Sequence, residues 1–531
     1  MKIPRPIYRI LALGSFSPVP EVGFSLTAVT VETPTLGDAL TALNPRFWVP
    51  VPKEICPDGG LTLQPARIRD FSPDAIIQTT PYLRDLATAD ELIAARHPRL
   101  TPAEIAAQIR STWPDLPLDL SPAGPRPPAA RSADAVADIL AMVAVPEGQT
   151  PPGGNGGGPQ SWREQIGGLL TANMECIFGN REFRTWEAAW RGVECLVRQG
   201  GIRPGGPVSL TIIPVSPPTL DVAWANLRGE LAADLPDLII IDCPLDNTPR
   251  GMATLNGIGN GAAGLLTPTA TWITPEFFHL STWRELQRLA YLKHHLEDAA
   301  YAKWRQLRKE AAGDWLVVTC NRFLTRPPYG KDNPPRTVTF SEAEPLWISP
   351  VWALGALAAQ SVNHFGWPTR LTDYMQIRLT DLALAGPQQE SSLSDRAVTE
   401  TIFSEERLRQ FGEIGMTTLT GAADRDAACL PRAAVASGAS LPARMFFSRI
   451  IGFLIRMRNV YDREGGGEDP AAYVSAALTA FFAATGKEPP GDLRVETVAA
   501  AEEDRQDLSI TFTPPASVSP DTRCLAFTFT W

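Results

Sequence analysis

A chain of 531 residues with 44% apolar content is long enough for two to four domains and a large buried core. Its net charge of −10, from 48 basic and 58 acidic side chains, sets the overall field against nucleic acid, and no block of like charge forms an interaction tail. Seven scattered cysteines, with no C-x-x-C pair, argue against a disulfide framework or a zinc site, so the chain reads as reduced, soluble and cytoplasmic.

The opening run MKIPRPIYRILALGSF has prolines at 4 and 6 and too short an apolar stretch for a signal peptide. VGFSLTAVTV (22–31) predicts a strand with Phe24, Leu26 and Ala28 on one face. RIRDFSPDAIIQTTPYLRDL (67–86) is a well-marked helix start. Ser72 is the N-cap, Pro73 and Asp74 open the first turn, and Phe71 is placed to pack on Ile76. Thr80-Pro81 then restarts or kinks the helix. Residues 114–131 and 146–160 are rich in Pro and Gly and read as linkers. Between them SADAVADILAMVAV predicts an isolated helix (132–145) with Val136, Ile139, Leu140 and Val143 on one stripe. The expected organisation is a domain over 1–113, a linker over 114–160 carrying that helix, and a domain over 161–531.

Ser161 to Glu164 reads as a capping box opening the large part. EFRTWEAAWRGVECLVRQ follows with Phe183, Trp186, Trp190, Val193 and Val197 on one helical face and Glu187/Arg191 and Glu194/Arg198 pairs on the other. VSLTIIPV and LIIIDC read as buried strands. AAYAKWRQLRKEAAGDWLVVTCNRFLTRPPYG (299–330) is a basic, Trp-anchored helix, a strand and a proline turn. In it Trp304 is expected as an aromatic anchor, with Arg305 and Arg308 bridging carboxylates in the core. MFFSRIIGFLIRM (445–457) is broken by Arg449 and Arg456, far short of the ~20 residues that span a bilayer. The end alternates with period two: Leu508, Ile510 and Phe512, then Leu525, Phe527, Phe529 and Trp531. Such order at a terminus predicts that something ties it down.

No catalytic set emerges. Gly259 to Gly264 fits G-x-G-x-x-G, but about 16 residues separate it from the nearest strand, so a glycine-rich turn or a helix contact is the better reading. His294, His295 and Glu297 cannot all face one metal, because neighbours on a helix diverge by ~100°. The chain is therefore expected to be no enzyme and to carry no cofactor or metal.

Three motifs carry a resemblance. REFRTWEAAWRGVECLV (with Trp186, Trp190 and Arg191) is the first. The second is KWRQLRKEAAGDWLVVTCNRFLTRPPYG, with Arg322, Phe323, Tyr329 and Gly330, and with Asn321 where proline is usual. The third is PARMFFSRIIGFLIRM. They resemble, in this order and spacing, the large sheath subunit (TssC, VipB) of bacterial type VI secretion systems. IRDFSPDAIIQTTPYLRDL, through Phe71, Ser72, Pro73, Pro81 and Leu83, resembles the small sheath subunit (TssB, VipA), so the chain looks like a fusion of both.

The resemblance implies an α+β tail-sheath fold, with mixed sheets flanked by helices and strands at both termini free for sharing between subunits. The strand candidates are Phe24, Leu26 and Ala28 near the start and Leu525, Phe527, Phe529 and Trp531 at the end. It implies a polymer of the chain itself around an Hcp-like inner tube, on a baseplate tied to the inner membrane complex, in the bacterial cytoplasm. It further implies a ClpV-like AAA+ unfoldase that reads helix 132–145, and neither nucleic acid nor membrane insertion. Two other readings stay open: a sheath of another phage-tail-like device, and a nucleotide-binding enzyme using the glycines at 257–264.

Overall fold

The computed structural model describes residues 5–18, 26–97, 99–121, 158–385, 396–463, 469–498, 506–519 and 523–531. Phe24 and the whole of 132–145, with Val136, Ile139, Leu140 and Val143, lie outside them.

The core is a seven-stranded sheet in the order β2-β5-β1-β6-β7-β8-β9. Its members are β1 (Tyr8–Gly14), β2 (Val29–Val31), β5 (Val208–Pro214), β6 (Leu238–Leu245), β7 (Thr269–Ile273), β8 (Leu316–Cys320) and β9 (Met416–Thr418). All pairs are parallel except β2 on β5. Three antiparallel pieces accompany it: hairpin β3 (Phe47–Pro50) with β4 (Gly60–Leu63), the short pair β10 (Thr420–Gly421) and β11 (Ala428–Cys429), and the sheet β12 (Arg494–Val498), β13 (Asp507–Phe512), β14 (Leu525–Thr530).

The helices are α1 (Leu36–Leu43), α2 (Pro73–Thr79), α3 (Pro81–Arg96), α4 (Pro102–Thr112), α5 (Pro159–Gly179), α6 (Arg181–Gln199), α7 (Leu220–Leu231), α8 (Pro249–Leu265), α9 (Pro350–Phe365), α10 (Glu405–Glu413), α11 (Leu441–Arg463) and α12 (Pro470–Ala484), beside shorter helical turns.

Parallel strands need crossover helices, which cover both faces of such a sheet. Tyr8, Ile10, Ala12, Leu210, Ile212, Leu238 and Ile240 point to the layer that holds α6 and α9. Leu11, Leu13, Ile213, Ile239 and Ile241 point to the layer of α7, α8, α11 and α12. Burial on both sides explains why these strands read as continuous apolar runs. Helix α9 is buried from Pro350 to Val362 because it lies between the sheet and α6. An all-round apolar helix is stable only in such a place.

Several expectations change. Strand β1 is an interior strand of the sheet, between β5 and β6, where the sequence alone shows only a short apolar run. Of the strand expected over 22–31, the described residues 26–31 contribute Val29–Val31, an edge strand on β5, while Leu26 and Ala28 precede it as irregular chain. Only Val31 is fully buried there, while Leu26 is partly buried against the layer of α7, α8, α11 and α12. Helix α5 starts at Pro159 after Gly158, which puts Ser161 inside the first turn rather than at the cap. The glycines at 259 and 261 sit in the middle of α8, so their N–H groups belong to the helix. A Cβ at Gly259 would stand 3.0 Å from Ala312 Cβ, and one at Gly261 would stand 2.5 Å from Trp224 Nε1. They let α8 approach its neighbours closely and form no phosphate-binding turn.

Candidate functional site: the joint between the two parts and the C-terminal sheet

The motif over 67–86 folds as its signals direct. Ser72 Oγ accepts from Ala75 N–H, Pro73 sits at the first helical position, and α2 gives way to α3 across Thr80-Pro81. Phe71 and Ile76 are both buried. This segment and β3 meet α6: Phe47 stacks on Trp186 with centroids 3.9 Å apart and planes 18° apart, and Phe71 lies 6.0 Å from Phe183. Offset aromatic pairs of this kind contribute about 0.5–1.5 kcal/mol beyond their buried area. Asp74 at the start of α2 accepts the backbone N–H groups of Arg336 (3.0 Å) and Thr337 (2.8 Å). Trp190 Nε1 donates to the Phe16 carbonyl at 2.9 Å. The N-terminal part is therefore joined to the rest through a continuous core.

Beside this joint lies a buried ionic seam. Glu187, fully buried on α6, receives Arg191 Nε at 2.7 Å and a two-pronged contact from Arg326 at 2.8 and 3.1 Å. Arg326 turns its other edge to Glu342 at 2.6 and 2.8 Å, and its guanidinium lies 4.5 Å from the Tyr329 ring centre. Tyr329 N–H donates to Glu342 Oε2 at 2.8 Å. Burial opposes the charge on Glu187, yet Arg326 and Arg191 hold its carboxyl below the ordinary range. The expected i,i+4 pair of Glu187 and Arg191 forms, and because α6 packs on two sides Arg326, about 140 residues away, extends it into a core network.

The rest of the proline-turn motif anchors β8. Arg322 grips Glu400 at 2.6 and 3.0 Å, and Phe323 bridges Ile348 and Thr399. Gly330 and Asn333 exchange backbone bonds at 3.1 and 3.2 Å that close the turn. Asn321 has φ 73°, in the left-handed region open to Asn and closed to proline. Its buried side chain donates to the carbonyls of Thr401 (2.9 Å) and Leu419 (2.8 Å) and accepts from Thr401 N–H (3.2 Å).

Trp304 is fully buried and meets Phe277 at 5.4 Å, as an anchor should. The carboxylates expected for its neighbours are not there. Arg305 donates to the carbonyls of Leu296 (2.6 Å) and Asp298 (2.5 Å), and Arg308 to those of Ala436 (2.7 Å) and Glu413 (3.0 Å). Short helical turns end in carbonyls without intrahelical partners, and a guanidinium satisfies two at once. Arg449 works alike: 2% exposed, it donates to the carbonyls of Gly366 (2.8 Å) and Pro6 (3.0 Å) and lies 4.9 Å from the Trp367 ring centre. The sequence showed it only as an interruption of an apolar run.

In the C-terminal sheet β13 is central, paired to β12 on one side and β14 on the other, so β12 and β14 are edges. The alternating face of β14 turns inward within its own chain. Phe527 meets Phe447 of α11 at 5.2 Å, Trp531 meets Tyr461 at 5.4 Å, and Arg458 lies over Phe529 and donates to the Thr530 carbonyl. Leu525 packs on the same layer, while Ala526, Thr528 and Thr530 face outward. Strand β12 is exposed along most of its length, and Val498 at its end is 44% exposed.

Among the described residues no helix is long and apolar enough to cross a membrane, and no three His, Cys, Asp or Glu side chains converge on a metal position. His295 Nε2 instead meets Tyr301 Oη at 3.0 Å.

Residues 236–436 match the VipB family model, described as EvpB/VC_A0108, tail sheath N-terminal domain. Over 228 residues the chain is 23% identical to the type VI secretion system sheath protein TssC1 of Pseudomonas aeruginosa, which covers 38% of this chain and 45% of that protein. The chain thus spans less than half the length of that curated relative. Among solved structures it is similar to the sheath tail protein Lin1278 from Listeria innocua, with TM-score 0.33 and 8% identity over 58% of this chain and 59% of that one. It is also similar to the anti-feeding prophage helical sheath in its contracted state, with TM-score 0.31 and 8% identity over 63% and 77%. The segment from β6 to the loop before α11, with its Arg322–Glu400 anchor, is the part that matches the VipB tail sheath N-terminal domain.

Proposed function

We propose that the protein is a structural protomer of the contractile sheath of a type VI secretion system, polymerising around an inner tube and contracting to drive effector delivery. The observation that carries this is the tail-sheath match over 236–436. The extensive core and the open edges of β12 and β14 fit a building block better than a catalyst. An added strand satisfies open ladder groups across a subunit boundary, and a contact that does not close on itself yields a filament. In this reading the part before residue 114 serves as the small sheath subunit and residues 161–531 as the large one. An Hcp-like tube, a baseplate attached to the inner membrane complex and a ClpV-like unfoldase are the partners, and the cytoplasm is the site of assembly. Purified protein examined by negative-stain microscopy and sedimentation should give tubes or sheath fragments without nucleotide or metal. A strictly monomeric species, with tube and baseplate partners present at high concentration, would refute the proposal.

The two faces of β14 separate folding from assembly. Phe527→Asp should cost about 2–3 kcal/mol by placing a charge against Phe447, seen as a lower melting temperature. Thr528→Lys, on the outward face, should leave melting unchanged and weaken polymerisation, because edge lysines deter strand addition. Polymers of normal length from Thr528→Lys would remove β14 from the interface.

Helix 132–145 is proposed as the segment that a recycling unfoldase reads. Replacing Ile139 and Leu140 with Asp should abolish unfoldase binding in a pull-down and spare assembly. Loss of assembly would assign the stripe to the sheath wall instead.

A further inference from the structure

The two ends of the connection between the parts lie side by side. Asp119 N–H donates to Gln165 Oε1 at 2.9 Å, and Gln165 Nε2 returns a bond to the Asp119 carbonyl at 3.4 Å. Leu120 is buried and its carbonyl accepts from Arg110 at 2.8 Å, which fixes the chain just before Ser121. On α5 next to Gln165, Arg163 grips Asp90 of α3 at 2.8 and 3.1 Å. Gly158, where the chain returns, stands one and a half to two turns before Gln165 on the same helix, ~10 Å away at 1.5 Å per residue. Asp119 to Ser121 adds at most ~7 Å. With the reach of the Gln165 side chain, Ser121 and Gly158 are within roughly 30 Å. The roughly 36 residues between them would extend to ~120 Å, several times what closure needs.

We infer that each chain's N-terminal part packs on the large part of its own chain and not on that of a neighbouring copy. The sheath reading enters only by naming that neighbour. A tether that closes without strain holds its two parts at millimolar effective concentration, and its length adds little closure entropy. Exchange between copies is favoured when the connection is too short to close within one chain, and 36 residues exceed the separation of Ser121 and Gly158 several times over.

The test is cross-linking of the full chain under assembly conditions, in a Cys524→Ser background because that thiol is exposed. Asp119→Cys with Gln165→Cys is treated with a short bismaleimide, and Asp90→Cys with Arg163→Cys provides a second pair. On denaturing gels nearly all cross-linked product should run at the mass of one chain. A ladder of dimers and higher species would overturn the inference, and so would failure of both pairs to cross-link. Intrachain product from a protein that never polymerises would leave this inference standing while the sheath reading fell.

Discussion

Residues 161–531 expressed alone are expected to show no cooperative melting transition and to recover one when residues 1–121 are supplied in trans. The reason is the position of β1. It pairs in parallel with β5 from Tyr8 to Gly14 and with β6 from Ile10 to Leu13, so its loss opens a strand-wide gap inside the sheet and parts β2 and β5 from the rest. Tyr8, Ile10, Leu11, Leu13 and Phe16 are all buried. At roughly 1.5–3 kcal/mol for each large apolar side chain, their removal costs on the order of 10 kcal/mol. That matches the whole net stability of an ordinary domain, about 5–15 kcal/mol. The unpaired edges of β5 and β6 would also promote aggregation. Circular dichroism melts and sedimentation of the large fragment, with and without its partner, read the outcome. A normal cooperative melt from 161–531 alone would show that the sheet does not depend on β1. Leu13→Asp in the full chain should reproduce much of the loss.

Arg326→Met is expected to lower stability by about 3–5 kcal/mol, because it leaves Glu187 and Glu342 buried without their shared partner. Lys at the same position should rescue little, since one ammonium cannot make two-pronged contacts with both carboxylates. The seam also sets an acid limit. The Glu187 carboxyl is held below its ordinary value of 4.5, so its contribution is fully present above that value and is lost as pH falls through the lower folded one. Melting temperatures between pH 6 and 3 should therefore drop on the acid side. Glu187→Gln should start lower and fall less steeply there. Parallel curves for the two proteins would show that Glu187 does not titrate as its surroundings require.

Local signals determined several elements of this protein. Ser72 and Pro73 started a helix, Phe183, Trp186 and Trp190 faced a core, and the alternation from Leu525 to Trp531 formed a strand with an inward apolar face. Each depends on spacing along one element, and backbone geometry turns spacing directly into a face. The spacing of the glycines in α8 from the strand before them likewise argues against a nucleotide turn. What those faces meet was decided only by the tertiary structure. The seven residues of β1 carry no period that distinguishes an interior parallel strand from any short apolar run. The i,i+4 spacing showed the pairing of Glu187 with Arg191 but not its burial, which depends on Arg326 and on a second packed layer. Arg305 and Arg308 found carbonyls because the turns that expose those carbonyls lie in other parts of the chain or end in irregular structure. The same holds for Asn321, whose left-handed backbone makes sense only beside Thr401 and Leu419. A sequence carries the preferences of a side chain, whereas its partner is set by contacts among residues far apart in the chain, which only the folded state brings together.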